Sequence, residues 1–316
     1  MAITRHLAEL ILAEHKYRPI RGEVLLLGRQ LVLMTPDEAQ ALVAKAEIPQ
    51  ASGARIDYDK TPHPYEKRLI SDASFFSLFS DAVVKACDVS DYEGAEIIFN
   101  LSEGVPPALI QKFDFVYNGS VLDNMFDAAA GIRNISRMLK PEGVVFHYEG
   151  AAHAAPAYLK FTPDWFFDYY ALNGFADCQA YLATYTDVHR DRWSMHEWSA
   201  FTDAGQLTMP MLLGAEAMVV AVVQNSLSAT VDRTPLQNIY RSGEHAPYLA
   251  AHSRFAASKR RQTIRQVFPE PEKFVAPHGN RFLRMILPKS PSPEVAAPPP
   301  GHVYLGLLGS TKFLEE

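Results

Sequence analysis

From residue 23 to residue 150 the chain alternates short, almost wholly apolar runs with stretches in which apolar residues recur every three or four positions. Runs of the first kind suit strands buried on both faces, and the periodic stretches suit helices that cover them. The runs are EVLLLG (23–28), AVVKACD (82–88), AEIIF (95–99), FDFVYNG (113–119) and GVVFHYE (143–149), while CQAYLATYT and AEAMVVAVVQN add two beyond residue 150. The pattern predicts an α/β fold: a Rossmann-like, doubly wound, mostly parallel seven-stranded sheet with helices on both faces.

Local signals place the connections. Thr35, Pro36 and Glu38 form a capping box with proline at the first helical position, so a helix follows the first strand. Ile132, Ile135 and Leu139 give the segment from about Asp127 to Leu139 one apolar face, and KPEG (140–143) reads as a tight turn into the next strand. Thr162 and Pro163 open another helix that Gly174 closes. Residues 1–20 read as an amphipathic helix, since Glu9 and Glu14 break up any long apolar run. Residues 46–81 exceed an ordinary crossover and read as a decorated connection, with SDASFFSLFS as a short helix. The domain is expected to span 1–225. An irregular extension, 226–316, then contains a basic helical stretch and a proline-rich linker at 286–300.

A net charge of −6 argues against nucleic acid or an anionic membrane surface as a partner, and the basic run SKRRQTIRQ reads as a solvated helix face. Two cysteines, Cys87 and Cys178, give neither a disulfide framework nor a zinc motif, so a cytoplasmic protein without metal is expected. A homo-oligomer is compatible with this composition. No phosphate loop, nucleophile elbow or GxGxxG fingerprint occurs, which removes the usual cues for an NTPase, a hydrolase and a nicotinamide-dependent enzyme.

In open α/β sheets ligands bind at the carboxyl ends of the strands, so the candidates are read from those ends. Asp88, just past the second strand, suits both hydroxyls of a ribose; alternatively Asp88 or Asp91 caps a turn. Asn100 and Leu101 follow the third strand, where they would meet an adenine edge and face. Asn118 and Gly119 end the fourth, Gly28 the first, and His147 and Glu149 the fifth. His189, Trp193, His196 and Trp198 collect in DVHRDRWSMHEWSAF, which reads as an acceptor pocket or as packing.

The segment FDFVYNGSVLDNMFDAAAGIRNISRMLKPEGVVFHYEG (113–150) resembles the fourth-to-fifth-strand region of class I S-adenosylmethionine-dependent methyltransferases, and KACDVSDYEGAEIIFNLSEGVP is similar to the part carrying their ribose and adenine contacts. The resemblance implies methyl transfer, with S-adenosylmethionine as cofactor, to a small molecule or a sugar, as O-methylation. It implies Asp88 at the ribose, Asn100 and Leu101 at the adenine, Gly28 and Gln30 at the methionine end, and Asn118 near the transferred methyl. His147 or His153 would be the base. The family's glycine-rich first loop is reduced here to Gly28, followed by Arg29 and Gln30. That departure keeps a second expectation open: a non-catalytic binding or assembly protein on the same scaffold.

Overall fold

A computed structural model describes residues 2–61, 64–152, 157–187, 193–198, 216–237 and 246–267. His153, His189, the linker at 286–300 and the rest of the chain's end lie outside the described residues.

The central sheet is built from β2 (Glu23–Leu27), β4 (Val83–Asp88), β5 (Ile97–Ile98), β6 (Phe113–Gly119), β7 (Leu139–Ala152), β8 (Asp177–Tyr185), β9 (Ser194–Glu197) and β10 (Glu216–Gln224), in the order β5-β4-β2-β6-β7-β10-β8-β9. Neighbours from β5 to β7 are parallel; β10 runs antiparallel to both β7 and β8, and β9 antiparallel to β8. Counting only the five-strand parallel block, the order is 3-2-1-4-5, the doubly wound arrangement, with its reversal between β2 and β6. The antiparallel β10 separates the fifth parallel strand from β8, whereas the dinucleotide-binding order would set the sixth strand beside the fifth.

Alternation along the strands explains the layers, since successive side chains point to opposite faces. Val24 and Leu26 join one core with α1 (Arg5–Tyr17), α2 (Pro36–Lys45) and α3 (Asp72–Ser77). Leu25 and Leu27 join the other with α4 (Ala128–Met138), α5 (Pro163–Leu172) and α6 (Ala246–Ala256). The Thr35 capping box forms as expected, and Gly174 takes the left-handed conformation at the end of α5.

Several expectations need correction. The sheet has an eighth strand, β9, drawn from the aromatic stretch whose Trp193 packs on Tyr148 and Tyr185. Two-residue strands β1 (Ala2–Ile3) and β3 (Leu31–Val32) also pair, and sit apart from the main sheet. KPEG is a register irregularity within β7, with Glu142 left-handed, rather than a separate turn. Thr162 precedes α5 but its hydroxyl makes no capping bond. The basic stretch is not simply a solvated face. Arg260, at the start of α7 (Arg260–Val267), is fully buried, and its guanidinium pairs with Glu14 of α1 and Asp177 of β8. Among the described residues no helix is long and apolar enough to cross a membrane.

Candidate functional site

The carboxyl ends of β2, β4 and β5 open onto a cleft of about 110 Å³ lined by Leu27, Gly28, Cys87, Asp88, Val89, Phe99, Asn100, Leu101, Val121 and Met125. This is smaller than the roughly 300 Å³ at which small-molecule pockets usually begin, so it suits a planar base and one edge of a sugar rather than a whole nucleotide. Its walls are mostly apolar. Gly28, the residue that lets β2 turn away here, has a φ of +68°, and its N–H donates to the carbonyl of Cys87.

Asp88 ends β4 half-buried. Its Oδ1 accepts the N–H groups of Val89 (2.6 Å) and Ser90 (3.4 Å), whereas its Oδ2 makes no hydrogen bond to the described residues. The turn-capping reading of this side chain is therefore present through one oxygen, and the other is left without a protein donor among the described residues. Asn100 is exposed, and its side chain is engaged locally, accepting from Ser102 N and donating to Glu103. Leu101 is buried in the cleft wall.

The first loop is closed by its own side chains. Gln30 is fully buried, with Nε2 donating to the carbonyls of Leu27 (2.9 Å) and Gly28 (3.3 Å). Its amide also lies over Gly119 at the end of β6, where an added Cβ would come within 2.6 Å of Gln30 Oε1. The side chain thus spans the reversal between β2 and β6. Arg29 turns the other way, bonding Asp72 at 3.2 Å, the Gly94 carbonyl at 3.0 Å, and Glu96.

Asn118, His147 and Glu149 sit together, but beneath the surface. All three are fully buried. Val121 N–H donates to Asn118 Oδ1, which fixes the amide so that Nδ2 faces His147 Nδ1 (2.8 Å) and Glu149 Oε1 (2.6 Å). His147 Nδ1 then accepts, and its Nε2 meets the Tyr170 hydroxyl at 2.6 Å. Burial lowers the His147 pKa to about 3, so the ring is neutral. Burial, aided by nearby Asp123, pushes the Glu149 pKa well above the usual carboxylate range, against the N–H groups of Leu122 and Asp123 and the amide of Asn118. The structure thus corrects the expectation that His147 serves as the base: it has no exposed surface and both ring nitrogens are engaged. Asn118 likewise holds the loop after β6 instead of facing the cleft.

The neutral histidine has a measurable consequence. Folded His147 stays unprotonated down to about pH 3, while in the unfolded chain it takes up a proton near its ordinary value of 6.5. The unfolded state therefore binds more protons between these limits, and stability falls as pH drops below 6.5, by up to roughly 1.4 kcal/mol per pH unit. Because the raised Glu149 pKa acts in the opposite sense, the expected result is a difference: between pH 7 and pH 5 the urea midpoint of the intact protein should drop relative to that of His147→Gln. An equal change in both forms would contradict this.

Sequence reasoning missed Asp72, which returns to the first loop from 42 residues beyond Gln30. No local signal could have paired them; only folding of the long crossover does.

No family model matches this chain. No curated protein matches it either. Among solved structures, it is similar to a 1,6-didemethyltoxoflavin-N1-methyltransferase from Burkholderia thailandensis (14% identity, 70% of this chain and 78% of that one, TM-score 0.34). It is similar also to a possible histamine N-methyltransferase from Thermotoga maritima (12%, 70% and 89%, 0.35). A further match is a protein from Rhodobacter sphaeroides named as a zinc-dependent alcohol dehydrogenase (12%, 46% and 46%, 0.26). At such scores no chemistry follows from the likeness, and the fold rests on this chain's own strand order.

Proposed function

We propose that this chain is an S-adenosylmethionine-dependent methyltransferase whose cleft receives the nucleoside end of the cofactor. The observation that carries the reading is Asp88, a carboxylate in the cleft wall at the end of β4, one strand from the order reversal, with one oxygen fixed by its turn and the other without a protein donor among the described residues. A ribose diol is a fitting partner for it, and the apolar walls from Leu27, Phe99, Leu101, Val121 and Met125 suit a base. The dinucleotide alternative is disfavoured by the interposed β10 and by the missing glycines. The acceptor is proposed to be a small molecule or a sugar, methylated on oxygen.

A bound sulfonium would supply an activated methyl group, leaving the protein chiefly to hold and align the acceptor. Asp88 would hold the ribose and Leu101 the adenine, with the Gly28 main chain nearest the rest of the cofactor. None of His147, Glu149 or Asn118 is free to move a proton, and His153 lies outside the described residues.

The second reading, a binding or assembly protein without catalysis, is favoured by a specific observation: Gln30 fills the reversal where the methionine end would run. Calorimetric titration of the intact protein with S-adenosylmethionine and S-adenosylhomocysteine separates the two. The enzyme reading expects saturable micromolar binding of both. A flat titration with both favours the non-catalytic reading.

A further inference from the structure

The cleft stops at Gly28, and the polar groups that follow it are already in use. Asp72, at the first position of α3, is 4% exposed. Its Oδ2 accepts the Gln30 N–H at 3.0 Å, and its Oδ1 accepts the Arg29 guanidinium at 3.2 Å and the Ala73 N–H at 2.7 Å. A guanidinium beside a backbone N–H, next to a glycine that allows close approach, is a donor set that suits a carboxylate. In this chain the carboxylate is internal.

We propose that Asp72 is a built-in competitor for the carboxylate of an amino-acid-bearing nucleoside, holding Arg29 and the Gln30 N–H until the ligand's own carboxylate takes its place. This deepens the nucleoside-site reading and rests on it. Three features of the arrangement support it. The first is chemical identity, because one carboxylate exchanges for another and the charge at the guanidinium is unchanged. The second is that Arg29 would not be orphaned by the exchange, since Gly94 and Glu96 still accept from it. The third is the adjacency to Gln30: the same residue whose N–H is held by Asp72 lays its side chain over Gly119, so an exchange at that N–H acts on the loop that closes the reversal. Asp72 opens α3, which belongs to the long crossover 46–81, and this gives that decoration a task at the site.

The resting site therefore discriminates by tail. Adenosine needs only the open cleft, whereas S-adenosylhomocysteine must also displace Asp72. The experiment is calorimetric titration of the intact protein, Asp72→Asn and Asp72→Ser with both ligands, each variant checked for an unchanged circular dichroism spectrum. Asparagine keeps the shape but surrenders the charge, and serine removes most of the side chain. The proposal expects adenosine affinity within about twofold in all three proteins and S-adenosylhomocysteine affinity raised roughly tenfold or more in a folded variant. Unchanged or weaker S-adenosylhomocysteine binding in a folded variant, with adenosine binding intact, overturns the competitor and leaves the nucleoside site standing. Absence of adenosine binding in the intact protein overturns both.

Discussion

Replacing Asp88 by alanine is expected to weaken adenosine binding by roughly 10- to 100-fold while leaving the protein folded. The magnitude follows from hydrogen bonds to a charged group, each worth about 1.5–3 kcal/mol when the partner is removed. Asp88 is the acid in the cleft wall, and its free oxygen has no competing protein donor among the described residues. Its structural work is confined to a two-bond turn at Val89 and Ser90, so the cost to stability should be about 1 kcal/mol. Asp88→Asn keeps the turn acceptor but presents an NH2 donor where the second oxygen was, and should fall between the two. Measured by calorimetry, an alanine variant that binds as well as the intact protein would remove the ribose role from Asp88.

The largest effect on stability is expected at Arg260. Its guanidinium is fully buried, bonded to Glu14 through Nε at 2.7 Å and to Asp177 through Nη1, and lies over the Tyr17 ring at 4.8 Å. Arg260→Ala would leave the Glu14 carboxylate, itself 2% exposed, without its cation. Breaking a buried pair in this one-sided way costs about 3–5 kcal/mol. For a chain of this size that is a fall in melting temperature on the order of 10 °C. Arg260→Met combined with Glu14→Gln and Asp177→Asn removes the charge mismatch and should lose much less. The control matters because a uniform loss in both variants would mean that packing, not the unpaired carboxylate, dominates. A fall below about 2 °C for Arg260→Ala would contradict the account of how α7 is fastened to α1 and β8.

Strands of the parallel block were legible because burial on both faces leaves an almost uninterrupted apolar run; β6 coincides with the FDFVYNG segment from first to last residue. Capping chemistry was equally plain at Thr35, where the side-chain bonds are local. What stayed hidden depends on contacts distant in sequence. Arg260 reads as one more basic residue in a polar helix until Glu14, 246 positions away, is placed beside it. His147 looked available because strand ends in this fold face a crevice, yet α5 brings Phe166 and Tyr170 over the ring and seals it. Gln30 was read as a ligand contact, and its side chain instead folds back on the carbonyls of its own turn. Asp88 was undecided between turn and ligand, and its Oδ1 takes the turn while the ligand role stays a proposal.

The Asp88 carboxylate is proposed to recognise the two hydroxyls of a ribose. Titrating the intact protein with adenosine and with 2′,3′-dideoxyadenosine measures this without altering the protein. Saturable binding of adenosine is expected, with an affinity for the dideoxy compound lower by about tenfold or more. Equal affinities, or no binding of either, would contradict it.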